Sequence, residues 1–272
     1  MSHSANLFDR SLFRLSGADS VDFLHNLVTC DVVKLREGDV TFGGLLTPQG
    51  KVLFDFHIMR EADGFLFDVA SGARDDVMKR LKFYKLRAAV DIEPDDDRQV
   101  YALWGDDVGG TDGRRPEMGT RAYSASHETN STIEDWNRHR LHVGIPLSGV
   151  DFDLGDVFAH DTLMDQFVGG GVDFSKGCYV GQEVVSRMKH RDSARNRFVK
   201  VKSGTDLPQK GVALIAAEKR IGTMGSAVGK DGLALVRVDK VGKALDAGEP
   251  ITAEDAPVTL ELPEFATFGW GS

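Results

Sequence analysis

The chain is poor in residues that staple, stiffen or anchor a protein. Its 272 residues include two cysteines, Cys30 and Cys178. Neither belongs to a CxxC or to a Cys/His pair at metal-ligand spacing, which excludes a zinc finger and a disulfide framework. The longest purely apolar run, Val212 to Ala217, is far too short to span a bilayer, and the first ten residues lack the apolar stretch of a secretory signal. Positive charge is also in deficit, since 33 basic against 42 acidic residues leave a net charge of −9. Such a body repels nucleic acid and anionic lipid unless basic residues are locally concentrated. No membrane partner and no direct nucleic-acid partner are therefore expected, and the reducing cytoplasm is the expected compartment. With 41% hydrophobic residues and only 8 prolines against 30 glycines, a disordered or fibrous chain is excluded. The length allows one large domain or two to three small ones.

Periodicity gives the layout. From Gly17, Val21, Leu24, Leu27 and Val28 fall at helical spacing behind polar residues that can cap a helix start. Between Thr41 and Arg60 two apolar runs flank Thr47-Pro48-Gln49-Gly50, which predicts a β-hairpin. A strand over Phe65 to Ala70 and a helix from Ser71 to Arg87, carrying Val77, Leu81 and Tyr84 on one stripe, extend an α+β layer. Pro94-Asp95-Asp96-Asp97 reads as a polar break, Val100 to Trp104 as a buried strand, and Gly105 to Gly119 as a loop. Ser131 to Glu134 has the form of a capping box for a helix that Gly144 and Pro146 end. From Asn196 onward, short β-like runs separated by turn clusters predict a small all-β barrel or sandwich. The expected parts are 1–93, 94–194 and 195–272.

The chemistry concentrates in Gly169 to Arg191, where five glycines and Cys178 precede a helical pattern containing Val184, Val185 and Met188. Glycines at 177 and 181 allow left-handed φ or a close approach to a ligand. A thiol on such a loop, near a helix start and the ammonium of Lys176, is a candidate reactive thiolate. From Lys176 to Lys202, eight basic residues stand against Glu183 and Asp192, a local excess suited to an anion. His160 is a further candidate acid, base or ligand.

The octet KGCYVGQE, Lys176 to Glu183, resembles the signature of the YgfZ family of folate-binding proteins. That family is related to the glycine-cleavage T-protein and includes a mitochondrial iron–sulfur assembly factor. The resemblance runs along the chain in order, through LSGADSVDFLHNLVTCDV from Leu15, FGGLLTPQGKVLFDF from Phe42, KFYKLRAAV from Lys82, RLHVGIP from Arg140 and LALVRVD from Leu233. It implies a mixed α+β body around a central folate pocket with a C-terminal β-barrel. It also implies a tetrahydrofolate-binding accessory factor in iron–sulfur cluster assembly or repair, and in the tRNA modification that depends on it. Its partners would be a reduced folate and iron–sulfur assembly or client proteins. By carry-over Cys178 and Lys176 are the reactive pair, and Gly177, Tyr179, Gly181, Gln182, Glu183, Trp104 and Arg140 hold the folate.

The sequence departs from the T-protein pattern at two places. His142 stands where the relatives' turn carries a pterin-holding Glu, and VASGARDDV from Val69 lacks both asparagines that precede the relatives' catalytic Asp, although Asp76 falls near that place. A folate-dependent, aminomethyltransferase-like transferase is therefore the alternative to an accessory factor, and Asp76 is the residue on which it depends.

Overall fold

The computed structural model describes residues 1–191 and 193–271, and the chain divides into two compact units. The first comprises Met1–Trp136 and Phe167–Val184, the second Asn137–Gln166 and Val185–Ser272. Both units are discontinuous in sequence, so they cut across the stretches 1–93, 94–194 and 195–272. A change in composition marks where a pattern changes. It does not mark where a chain leaves a body and later returns to it.

In the first unit, ten elements follow in order: β1 (Ser2–Asn6), β2 (Arg10–Ser16), α1 (Ser20–His25), β3 (Val40–Leu46), β4 (Val52–Glu61), β5 (Gly64–Ala70), α2 (Arg74–Lys85), β6 (Asp91–Asp95), β7 (Gln99–Gly105) and β8 (Thr120–Ser124). They build a five-stranded sheet in the order β3-β4-β5-β2-β6 and a three-stranded sheet in the order β1-β7-β8, antiparallel throughout. Period-two alternation sorts the faces of the larger sheet. Phe13 and Leu15, Phe56 and Ile58, and Phe65, Phe67 and Val69 share one buried cluster with Leu24 of α1 and with Val77 and Leu81 of α2. Phe67 stacks on Phe13 at 4.6 Å and meets Phe56 edge-on at 5.1 Å. Each fully buried side chain of this kind contributes about 1.5–3 kcal/mol. The residues between them, including His57 and Asp68, which pair in register, face the other way.

Two sequence expectations change here for local reasons. The polar break at Pro94 lies in β6, where Pro94 sits opposite Phe13. Proline lacks the ladder donor, and β6 tolerates it because it is an edge strand. The helix α3 (Ile133–Val143) is capped one residue later than predicted. The Thr132 hydroxyl accepts the Asp135 N–H at 3.2 Å, and the Asp135 carboxylate accepts the Thr132 N–H at 3.0 Å, so the box is Thr132–Asp135 rather than Ser131–Glu134.

After α4 (Gln182–His190), the second unit carries β9 (Asn196–Ser203), β10 (Ala213–Ala216), β11 (Lys219–Val228), β12 (Asp231–Arg237), α5 (Val238–Asp246), β13 (Ile251–Ala253) and β14 (Ala256–Glu261). The strands close a barrel in the order β10-β11-β12-β9-β14-β13, filled by Val199, Val201, Leu214, Met224 and Val236 with Val241 from α5. The barrel was expected, but β11, β13 and α5 were not. In β11 a register shift between Met224 and Ala227 interrupts the alternation, and short or irregular strands of this kind leave no clean period in the sequence.

Candidate functional site

The motif loop belongs to the first unit and is tied to the segment that follows α1. Lys176 is buried, and its ammonium donates to the carbonyls of His25 at 2.7 Å, Val28 at 2.6 Å and Cys30 at 3.0 Å. An ammonium has three donors, and all three are used. Burial lowers the lysine's pKa, while the nearby Cys30, Asp31 and Asp173 work against that fall. Upstream, Asp173 accepts from the Ser175 N–H at 2.7 Å, the Ser175 hydroxyl at 2.6 Å and the Lys176 N–H at 3.1 Å. Burial opposes ionisation of Asp173, but these bonds and nearby Lys34 hold its carboxyl below the usual range. The Thr29 hydroxyl closes the knot, donating to the Gly171 carbonyl at 2.6 Å and accepting the Gly44 N–H at 2.9 Å.

Downstream, Gly181 has φ +83°, and a β-carbon there would stand 2.6 Å from the Thr47 carbonyl. The turn of the β3–β4 hairpin therefore packs directly on the motif, and Gly50 of that turn backs onto Val184. Gly177 needs no such freedom, since an added β-carbon would meet only His25 Nε2 at an ordinary 3.7 Å. His25, which sequence reasoning missed, thus stands beside the motif with its Nδ1 3.4 Å from an Asp31 carboxylate oxygen. It lies some 150 residues upstream, and only the fold brings it there.

The two cysteines have opposite fates. Cys178 is exposed and Cys30 is buried, with burial pushing the Cys30 thiol up to about 12 against the pull of Lys176. The sequence suggested a thiol on a tight loop leading into a helix, under the influence of the helix dipole and of the Lys176 ammonium. The loop does lead into a helix, α4, which starts at Gln182, four residues past the cysteine, but Lys176 is spent on three carbonyls, which makes it a positioning residue. Tyr179 is buried with its ring 5.3 Å from the Lys176 nitrogen, and its hydroxyl has no hydrogen-bond partner. Burial holds that phenol above its ordinary pKa. The Gln182 amide reaches the Gly177 carbonyl at 3.4 Å, and Glu183 is exposed.

The remaining expected residues lie elsewhere. Trp104, on β7, is buried with its ring 5.4 Å from both His3 and Trp136. Arg140 belongs to the second unit, where its guanidinium bonds Asp151 and the Ser226 hydroxyl at 2.7 Å each, Asn137 at 2.8 Å and the Ile145 carbonyl at 3.1 Å. Asp76 is exposed on α2, and burial pushes the pKa of His160 down. The basic stretch 176–202 is not one patch. Lys176 is internal, Arg197 is buried and bonded to Asp165 and the His160 carbonyl, Lys202 pairs with Glu261, and Asp192 lies outside the described residues. Among the described residues, no three His, Cys, Asp or Glu side chains converge to hold a metal.

A buried ionic cluster behind the five-stranded sheet was also missed. Asp68 accepts from Arg10 at 2.5 Å and Arg121 at 3.0 Å, and Asp112 from Arg114 at 2.6 and 2.9 Å and from Arg121 at 3.1 Å. Burial penalises both carboxylates, but the guanidinium groups hold them ionised below their usual range. His57 lies 3.7 Å from each, and burial together with Arg121 pushes it down to about 3.

This geometry can be set beside known proteins. The iron–sulfur cluster assembly factor IBA57 homolog of Coccidioides immitis is 30% identical over an alignment of 319 residues, which takes in 95% of this chain and 74% of that one. The chain belongs to the IBA57 family. Human IBA57 is 26% identical over 85% of this chain and 76% of its own length. The tRNA-modifying protein YgfZ of Aliivibrio fischeri is 28% identical over 69% of this chain and 67% of its own. Residues 195–268 match the CAF17 C-terminal β-barrel domain, so the barrel is itself a recognised part of this IBA57-like chain. The fold matches the crystal structure of the glycine cleavage system aminomethyltransferase T from Bartonella henselae with a TM-score of 0.72, at 14% identity, over 99% of this chain and 87% of that one. Among the described residues, no helix is long and apolar enough to cross a membrane.

Proposed function

We propose that the protein serves iron–sulfur cluster assembly or repair, with Cys178 as the group that meets the cluster or its sulfur on a partner protein. The observation that carries this reading is the exposed Cys178 thiol on a loop fixed from both sides, by the three carbonyl bonds of Lys176 and by the packing of Gly181. A thiolate is a soft ligand for iron and a good nucleophile, and a fixed loop presents it at little entropic cost. On meeting iron the thiol would lose its proton to solvent, and its sulfur lone pair would replace a ligand on the metal. The family relatives named as iron–sulfur assembly factors support the same reading, and the Aliivibrio relative's name supports tRNA modification as a downstream dependence. A reducing compartment, which we place in the cytoplasm, keeps such a thiol available.

The test is complementation with Cys178→Ser, read as the activity of an iron–sulfur enzyme in oxidatively stressed cells. Loss of that activity, with the melting temperature unchanged, is expected, and wild-type activity would remove Cys178 from the mechanism.

Reduced folate enters this reading through the sequence resemblance. Of the side chains expected to hold it, Arg140 is saturated by protein partners and Trp104 is packed against His3 and Trp136. Arg140 and Trp104 thus do not fit a folate as assigned. Tyr179 alone among the expected side chains keeps a buried, unpartnered polar atom. A rise in melting temperature with saturating tetrahydrofolate, lost in Tyr179→Phe, would bring folate in. The transferase alternative predicts that Asp76→Asn abolishes complementation as fully as Cys178→Ser.

A further inference from the structure

The outward side of α2 is built for contact. Val77, Met78 and Leu81 of this helix enter the core. Asp76, Lys79, Arg80 and Phe83, spaced i, i+3, i+4 and i+7, lie on another stripe and with Phe54 of β4 line an open groove of about 430 Å³. Phe83 is 72% exposed, and Leu86, just past the helix, is 89% exposed. Large apolar side chains set in a concave surface mark an interaction site more often than scattered ones do.

The charge around the groove is mainly basic, with Asp76 as the acidic member of its lining. Arg74 and Lys85, at the helix ends, lie 2.5 Å from Asp96 and 3.7 Å from Asp91. Among the described residues, Lys79, Arg80 and Lys82 have no such acidic neighbour. Arg74 to Arg87 carries six basic and two acidic residues in a chain of net charge −9, so the patch opposes the field of the rest of the molecule.

We propose that this groove docks an acidic amphipathic segment of a partner protein, with its apolar side chains on Phe54 and Phe83 and its carboxylates facing Lys79 and Arg80. The groove and the motif share the β3–β4 hairpin. Gly50, which backs onto Val184, is four residues from Phe54, about 13 Å along the strand. The inference goes beyond the Cys178 reading, because docking needs no thiol.

The test uses the full chain and a fluorescein-labelled peptide of about 18 residues with Leu at i, i+3, i+4 and i+7 and Glu elsewhere, followed by anisotropy. Micromolar binding is expected. It should weaken about tenfold or more in Phe83→Ala and in the double variant Lys79→Glu/Arg80→Glu, fall with added salt, and stay unchanged in Cys178→Ser. These side chains are exposed, so melting temperatures should hold, and the two variants probe the groove by independent chemistry. Equal binding of a Lys-for-Glu peptide, or affinity unchanged in both groove variants, overturns the proposal. So does self-association in sedimentation equilibrium that Phe83→Ala abolishes, which makes a second copy the occupant, or competitive displacement of the peptide by tetrahydrofolate, which makes the groove a small-molecule site.

Discussion

Two polar regions of the first unit use buried charge to opposite ends. Behind the five-stranded sheet, Asp68 and Asp112 are met by Arg10, Arg114 and Arg121, and both carboxylates are satisfied inside the protein. At the motif, Lys176 is satisfied just as fully, yet the Tyr179 hydroxyl is left without a partner and the Cys178 sulfur faces solvent. The guanidinium–carboxylate pairs hold structure in place, with both His57 nitrogens buried beside them and unbonded, whereas a network that braces a loop and leaves an exposed thiol on it can act on something else. Lys176, placed first in the reactive pair by resemblance, falls by geometry on the structural side of that line.

The sharpest break in this comparison is at Asp68. Asp68→Ala strips Arg10 of its carboxylate and leaves Arg121 with Asp112 alone, which should cost about 3–5 kcal/mol, read as a lower urea midpoint, while a loss under about 1 kcal/mol would mean that water already shares the cluster. Lys176→Met keeps the side-chain length but deserts three carbonyls, so a loss of at least about 2 kcal/mol is expected. Faster alkylation of Cys178 by iodoacetamide should accompany it, and an unchanged rate would separate the brace from the thiol.

The next effect is on pH. His57 takes its proton near 6.5 when unfolded and only near 3 when folded, so its contribution is complete above pH 6.5 and is lost as pH falls toward 3. Denaturation series from pH 7 to 4 should show a slope of up to about 1.4 kcal/mol per pH unit from this group. His160, also lowered by burial, adds to it with the same sign. His57→Gln should flatten the slope, and an unaltered slope would place the proton uptake elsewhere. The smallest effect belongs to Tyr179→Phe, which removes an unpartnered buried hydroxyl and should raise stability by up to about 1 kcal/mol. A drop in urea midpoint instead would reveal a partner for that hydroxyl.

Much of this was legible in the sequence where one segment explains itself. The hairpin around Thr47 to Gly50, α2 with Val77 and Leu81 turned inward, the helix ended by Gly144 and the C-terminal barrel all follow from local period and turn chemistry. Strands whose sequence is polar or irregular did not announce themselves. β1 reads Ser-His-Ser-Ala-Asn, and β6 holds a proline that only its edge position excuses. The site was half legible. The motif glycine at 181 and the exposure of Cys178 agree with a functional loop, but the task of Lys176, the presence of His25 and the cluster around Asp68 depend on residues distant in sequence. The exposed stripe of α2 was readable as a helix, but its face toward solvent became meaningful only once Phe54 closed the groove.

The lysine brace also sets an order of events for the newborn chain. Its three carbonyl contacts span 146 to 151 residues, and contacts that close loops of such length are entropically costly and slow to form. Until the first thirty residues have found the motif, the segment bearing the sulfur lacks one of its two supports, the other being the turn at Thr47–Gly50. A truncated or misassembled copy would therefore carry the cysteine without holding it in a defined geometry, so that the orientation of the thiol depends on completed folding.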